Sequence, residues 1–227
     1  AALGLVAAGG GRLDPAFAAV ATRTVRACVI GLKAGGERER AGRLARTAAA
    51  ALPEEDDGAI GLSLRRLRYL GLDLVFDETA GAETVLPLAA EAMAYLRRDG
   101  RLTGEVAGVA ASPCWRIARR LTGLCREREA TDLIEAAIAA MPDRAELHAH
   151  HGNFVLNFDR IEAAEAAYRR AIALDGRMGW VHRQLSICLE RRGRVDEALA
   201  AARLAVDLAP GDDISRAHLH RLSAARS

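Results

Sequence analysis

Aromatic residues are scarce, at 4% of the chain. Sandwiches and barrels lean on aromatic and β-branched strands, so an all-β fold is disfavoured; abundant Ala, Leu and Arg suit helices. There are four cysteines, Cys28, Cys114, Cys125 and Cys188, and no CxxC. That leaves no zinc ribbon or thioredoxin-type motif, and four scattered thiols are too few for a disulfide scaffold. They read as small buried side chains in a reducing compartment, so a cytoplasmic location is expected. An excess of one charge is also missing: 32 basic residues face 30 acidic ones. Neither nucleic acid nor a membrane surface is expected as the main partner. No uncharged apolar run approaches the roughly 18 residues that a membrane-spanning helix needs. The chain opens Ala1-Ala2-Leu3 without Met. It is therefore expected to be a processed product or a segment of something longer. Residues 1–11 read as the remnant of a targeting or linker region, without the basic stretch of a signal peptide.

What is present is apolar material, 51% of 227 residues, enough for a real core. It is organised with a period of 34 residues. Ala130, Ala164 and Ala198 share one register, as do Ala137, Ala171 and Ala205, and Pro142, Gly176 and Pro210. Ile134, Tyr168 and Ala202, and Ala140, Leu174 and Leu208, keep the same phase. Each period holds two amphipathic helices. Leu147, Gly152, Val155 and Leu156 line the first helix of one copy, and Asn157 to Arg160 turn the chain. Ile161, Ala164, Tyr168, Ala171 and Leu174 follow at spacings of three and four, one helical face. Asp175-Gly176 ends that helix, Gly being suited to the position past a C-cap. In the next copy Arg192-Gly193-Arg194 is the turn and Pro210 the stop.

The segments "HGNFVLNFDRIEAAEAAYRRAIALDG" and "RQLSICLERRGRVDEALAAARLAVDLAP" resemble the tetratricopeptide repeat, a 34-residue helix–turn–helix unit with small residues at fixed places. The resemblance implies an all-α solenoid of stacked helix pairs, right-handed by analogy. Copies are placed at 111–144, 145–178 and 179–212, with a capping helix at 213–226. The first copy departs from the pattern most: Ala118 replaces the Gly of the first helix and Cys125 the turn Gly. Cys114, His148 and His182 stand where the family carries a bulky aromatic.

The N-terminal part, 1–110, reads as an irregular helical region. Residues 22–55 look like a degenerate copy, with Val25, Cys28, Leu32, Gly36, Ala41, Ala48 and Pro53. Ala41 precedes Ala130 by 89 residues, not a multiple of the period, so a segment of irregular length intervenes. Helices are predicted over 58–70 and 83–98. Leu72–Phe76 reads as a short strand, a buried loop or a helix start, and 99–108 as a turn-rich joint. An apolar edge at 1–30 could pair two copies of the chain.

Signals for chemistry fail in turn. The glycine run at 9–11 lacks the Lys-Ser/Thr of a phosphate loop, and no GxSxG, HExxH or calcium-loop spacing occurs. The acidic run at 54–57 suits a helix's first turn. His148, His150, His151 and His182 could approach one another and hold zinc or nickel. The preferred reading is that His148 and His182 fill equivalent half-buried places, with no metal site and no cofactor. Cys114 and Cys125, eleven apart on one predicted helix, read as core thiols too distant to pair.

What remains is a groove. The family's concave face is lined by first helices and holds extended peptides. Carried onto this chain, the resemblance assigns that face to Trp115 and Arg119, to His150, Asn153 and Asn157, and to Arg183, Ile187 and Arg191. Asn can bond a peptide backbone as donor and acceptor, Arg can take a carboxylate with paired donors, and Trp supplies apolar area. The expected function is a non-catalytic protein-interaction scaffold or adaptor. Its expected partner is an acidic or C-terminal peptide segment. The alternative is a docking module of a larger enzyme, such as a transferase, or of a secretion or envelope-assembly machine.

Overall fold

The computed structural model describes residues 15–51 and 59–224. The glycine run at 9–11, the acidic run at 54–57 and the N-terminal half of the edge at 1–30 lie outside the described residues. Among the described residues the regular structure is α-helical throughout, in eleven helices. They group into two compact units, one reaching Met141 and one starting at Pro142.

The first unit contains α1 (Pro15–Ala34), α2 (Arg38–Ala51), α3 (Ala59–Val75), α4 (Ala82–Asp99), α5 (Gly104–Gly123) and α6 (Glu127–Ala140). Sequential helices pack against each other, and α3 and α4 also pack on α5 and α6 respectively. Ala41, Ala45 and Ala48 of α2 are fully buried against Val25 and Val29 of α1 and Leu67 and Leu74 of α3. Small side chains at this helical spacing let three helices approach closely.

Two expectations for this region are corrected. Leu72–Phe76 is neither strand, loop nor helix start: residues 72–75 are the last turn of α3, and the Phe76 amide continues the ladder to Leu72 O at 3.1 Å. Leu72, Leu74 and Phe76 are all buried, and tertiary packing of that face overrides the strand-like alternation. The joint at 99–108 is shorter than its glycines suggest. Gly104 already begins α5, with Thr103 extended just before it.

The second unit contains α7 (Ala145–Asn157), α8 (Ile161–Leu174), α9 (Gly179–Arg191), α10 (Val195–Leu208) and α11 (Asp213–Ala224). Each helix packs on the next, and α9 also meets α11. Their shared core includes Tyr168, Val181, Leu185, Leu189, Leu199 and Leu222. Gly152 matters here because a Cβ at that position would stand 2.5 Å from Tyr168 Cε1. The missing side chain is what seats the buried tyrosine ring.

The hairpin turns share one closure. Gly36, Cys125, Asp159 and Gly193 have φ of 80°, 57°, 60° and 73°. The amide that follows each returns to the first helix: Glu37 to Leu32 O, Arg126 to Leu121 O, Arg160 to Val155 O and Arg194 to Leu189 O, at 2.9–3.1 Å. This is a Schellman closure, which satisfies a carbonyl left over at the helix end. The next helix starts at once: the amides of Ala41, Ala130, Ala164 and Ala198 each bond the carbonyl four residues back at 3.0 Å. The α1–α2 pair therefore makes the same hairpin as the later copies, although its spacing breaks the period.

A second periodic bond closes the other end of each copy. His148 Nε2 bonds Pro142 O at 2.8 Å and His182 Nε2 bonds Gly176 O at 2.9 Å. Arg216, one period further, donates to Pro210 O at 3.2 Å. A nitrogen donor at this register ties the linker carbonyl to the next first helix.

Candidate peptide-binding face

The eight residues assigned to the groove divide between the units. Trp115 and Arg119 lie on α5 in the first; the other six lie on α7 and α9 in the second.

On α5 the arginines clasp the loop between α3 and α4. Arg116 reaches Asp73 at 2.7 Å and lies over the Phe76 ring at 4.9 Å. Arg120 donates to Ala80 O at 2.7 Å and Thr79 O at 2.9 Å. Arg119 covers the half-buried Trp115 ring at 5.3 Å and pairs with Glu78 at 3.0 Å. The loop itself is held by Asp77, which accepts from the Thr79 amide and hydroxyl at 2.8 Å. These two bonds keep the Asp77 carboxyl below the usual range.

In the second unit the assigned side chains link first helices side by side. The His150 ring meets Trp180 at 5.6 Å. Asn153 Oδ1 accepts from Tyr168 OH at 2.7 Å and from Gln184 Nε2 at 3.2 Å. Arg191 pairs with Asp159 in the α7–α8 turn. Arg183 pairs with Asp212 at 2.7 Å, ahead of α11. Asp212 also accepts from Ser215 Oγ, which with Arg183 lowers its pKa against some desolvation. Asn157 is exposed and Ile187 half-buried. So α7 and α9 form one cross-linked strip whose two arginines already hold carboxylates.

Sequence reasoning missed Trp180, Gln184 and Asp212, which complete these links. It also missed Glu165, a buried carboxylate on α8 held by Arg169 at 2.9 Å, by Arg192, and by Arg194 at 2.8 Å. Burial pushes the Glu165 pKa up, but the arginine bonds outweigh it and leave it lowered. The signal was an acidic residue on an otherwise apolar stripe, with two arginines in the α9–α10 turn. A cleft of about 410 Å³ also opens over α9 between α8 and α10, lined by Ile172, Leu185, Ala200 and Leu204 among others.

His148 and His182 each bond their own linker carbonyl. Among the described residues no three His, Cys, Asp or Glu side chains are grouped to hold a metal ion, and no helix is long and apolar enough to cross a membrane. The expectation of buried thiols holds for Cys114 and Cys188 and fails for Cys28 and Cys125, which are exposed. Cys125 lies past the end of α5, in the turn, not on the helix shared with Cys114.

The helix hairpins, their Schellman turns and the buried alanine columns define a helical-repeat protein with the tetratricopeptide-repeat fold. No protein-family model matches the chain, and no curated protein matches it in sequence. Solved structures do match in fold. The Pseudomonas aeruginosa protein pilF is similar at 16% identity and TM-score 0.63, over 92% of this chain and 85% of that one. MamA from Desulfovibrio magneticus RS-1 is similar at 16% identity and TM-score 0.56, over 85% of this chain and 97% of that one. YrrB, a TPR protein with an unusual peptide-binding site, is similar at 16% identity and TM-score 0.51, over 85% of this chain and 88% of that one. At such identities the likeness establishes the fold.

Proposed function

We propose that this chain is a non-catalytic scaffold that binds an extended peptide segment along α7 and α9. The observation that carries the reading is the strip itself. His150, Asn153, Asn157, Arg183, Ile187 and Arg191 sit on two adjacent first helices, and side-chain bonds hold those helices in register. A pre-ordered strip spares the ordering entropy that a flexible surface loses on binding. YrrB, which shares the fold, has a peptide-binding site. An acidic segment or a C-terminal carboxylate would engage Arg183 or Arg191 by taking the place of Asp212 or Asp159. Such an exchange swaps one charge-assisted bond for another, so selectivity would come from the neighbouring Asn157 and Ile187.

The test is selection of the full chain against a random-peptide library, repeated with Ile187→Glu and Asn157→Ala, with circular dichroism as the folding control. Peptides enriched on the wild type should lose at least about tenfold in affinity on Ile187→Glu, the order expected for a lost central contact. Enrichment untouched by both changes, but lost on Leu204→Glu, would move binding to the cleft between α8 and α10 and overturn the assignment.

A further inference from the structure

The last helix is fastened by a polar chain that runs through one buried histidine. Ser186 Oγ on α9 donates to Ala198 O on α10 at 2.7 Å, which uses its single proton. Its contact with His218 Nε2 at 2.9 Å therefore has the imidazole as donor. That leaves His218 Nδ1 without a proton, and Arg221 donates to it at 3.2 Å. The arrangement admits one form of His218: neutral, with its hydrogen on Nε2. Ser186 is fully buried, Ser215 is 1% exposed, Leu222 2% and His218 9%. Water therefore has little access to the Ser186 end of the chain, while the Arg221 end is open to it.

A proton on Nδ1 would point at the Arg221 guanidinium, which is itself held by Glu190 through bonds of 2.7 and 2.6 Å. Two donors, both cationic, would then face each other at a half-buried contact, since Arg221 itself is exposed. The charged groups acting on His218 are Arg221 of α11 and Glu190 and Arg183 of α9; Arg183 is tied to Asp212. From α10 the chain receives the Ala198 carbonyl, which Ser186 already occupies. Glu190 favours the imidazolium, while burial, Arg221 and Arg183 oppose it, and the opposing influences prevail.

We propose that α11 is an acid-released cap: protonation of His218 at Nδ1 ends its bond from Arg221 and sets two cations against each other, which loosens the helix from α9 and α10 while Nε2–H can still reach Ser186. Below the ordinary histidine value of about 6.5, the unfolded segment takes up a proton that the docked one refuses. The docked state therefore loses stability as pH falls from that value towards the folded pKa. Leu222 and Leu219 leave the shared core when α11 lets go. The open edge of α9 and α10 then faces water, which is the state a terminal repeat helix normally prevents.

The experiment uses the full chain. The His218 ring proton is titrated by NMR, its signal assigned with His218→Gln. Amide exchange over 213–224 is measured at about pH 7.5 and about pH 5.5, corrected for intrinsic rates and referred to α8. The expected result is a His218 pKa below the ordinary value and a several-fold loss of α11 protection on acidification. In His218→Gln, whose amide can still donate to Ser186, that loss disappears. A His218 that titrates at or above its ordinary value, or α11 protection that tracks α8, would overturn the proposal. Both readings come from the wild type, so they decide the matter even if His218→Gln fails to dock α11.

Discussion

Backbone torsions at single residues decide how each hairpin closes. Cys125 adopts φ of 57° at a position where Gly36 and Gly193 adopt 80° and 73°. A residue with a Cβ sits in that region at a cost of roughly 1–2 kcal/mol, against roughly 0.5–1 kcal/mol of extra chain entropy for Gly. Cys125→Gly is therefore expected to stabilise the first unit by about 0.5–1 kcal/mol, read as a higher urea midpoint with unchanged slope. A lower midpoint would mean that the thiol contributes contacts the turn needs. The substitution of the turn glycine was legible in the sequence, because the period aligned Cys125 with Gly193. Its exposure was not, since the apolar pattern carried the helix of Cys114 on to Cys125, whereas α5 ends at Gly123 and leaves Cys125 in the turn. Asp159 occupies the same register, with φ of 60°, and pairs with Arg191 at the surface.

Between helices, charge does what alanine columns cannot. Glu165 has a side chain only 8% exposed and joins α8 to the α9–α10 turn through Arg192 and Arg194, themselves 34% and 36% exposed. Removing the carboxylate strands guanidiniums that water still reaches, so the loss is smaller than for a sealed pair. Glu165→Gln should destabilise the second unit by about 1–2 kcal/mol. The pH dependence has a definite sign. Since the folded pKa is lowered, this stabilisation is present above the ordinary glutamate value of about 4.3 and lost as pH falls through the folded value. Chemical unfolding of wild type and variant at neutral and at acidic pH measures both; equal midpoints at neutral pH would show the cluster to be ornamental. Helix pairing itself was legible because apolar residues recur at three and four. The partners of Asn153 and Arg183 were not. Gln184 and Asp212 lie 31 and 29 residues away, and no local pattern marks them.

For the molecule as a whole, the described helices fall into two compact units. The second has a core of its own, from Ala149 to Leu222, and a polar last helix. Neighbour-by-neighbour stacking makes such a set of helices self-sufficient. A chain starting at Pro142 is expected to be helical by circular dichroism and to unfold in one urea transition. A gradual, slope-free loss of ellipticity would show that it needs the rest of the protein. Sequence by itself determined the helical class, the 34-residue period, the buried alanines and the hairpin turns of the C-terminal copies. All of these arise from interactions within one or two helices, and local spacing records them. Only the tertiary structure decided that Leu72–Phe76 ends a helix and that α1 and α2 close like the later hairpins. It also decided that the arginines assigned to the groove already hold carboxylates and that His218 lies buried against Ser186. The last two depend on side chains that meet some thirty residues apart, and the geometry of packed helices sets that.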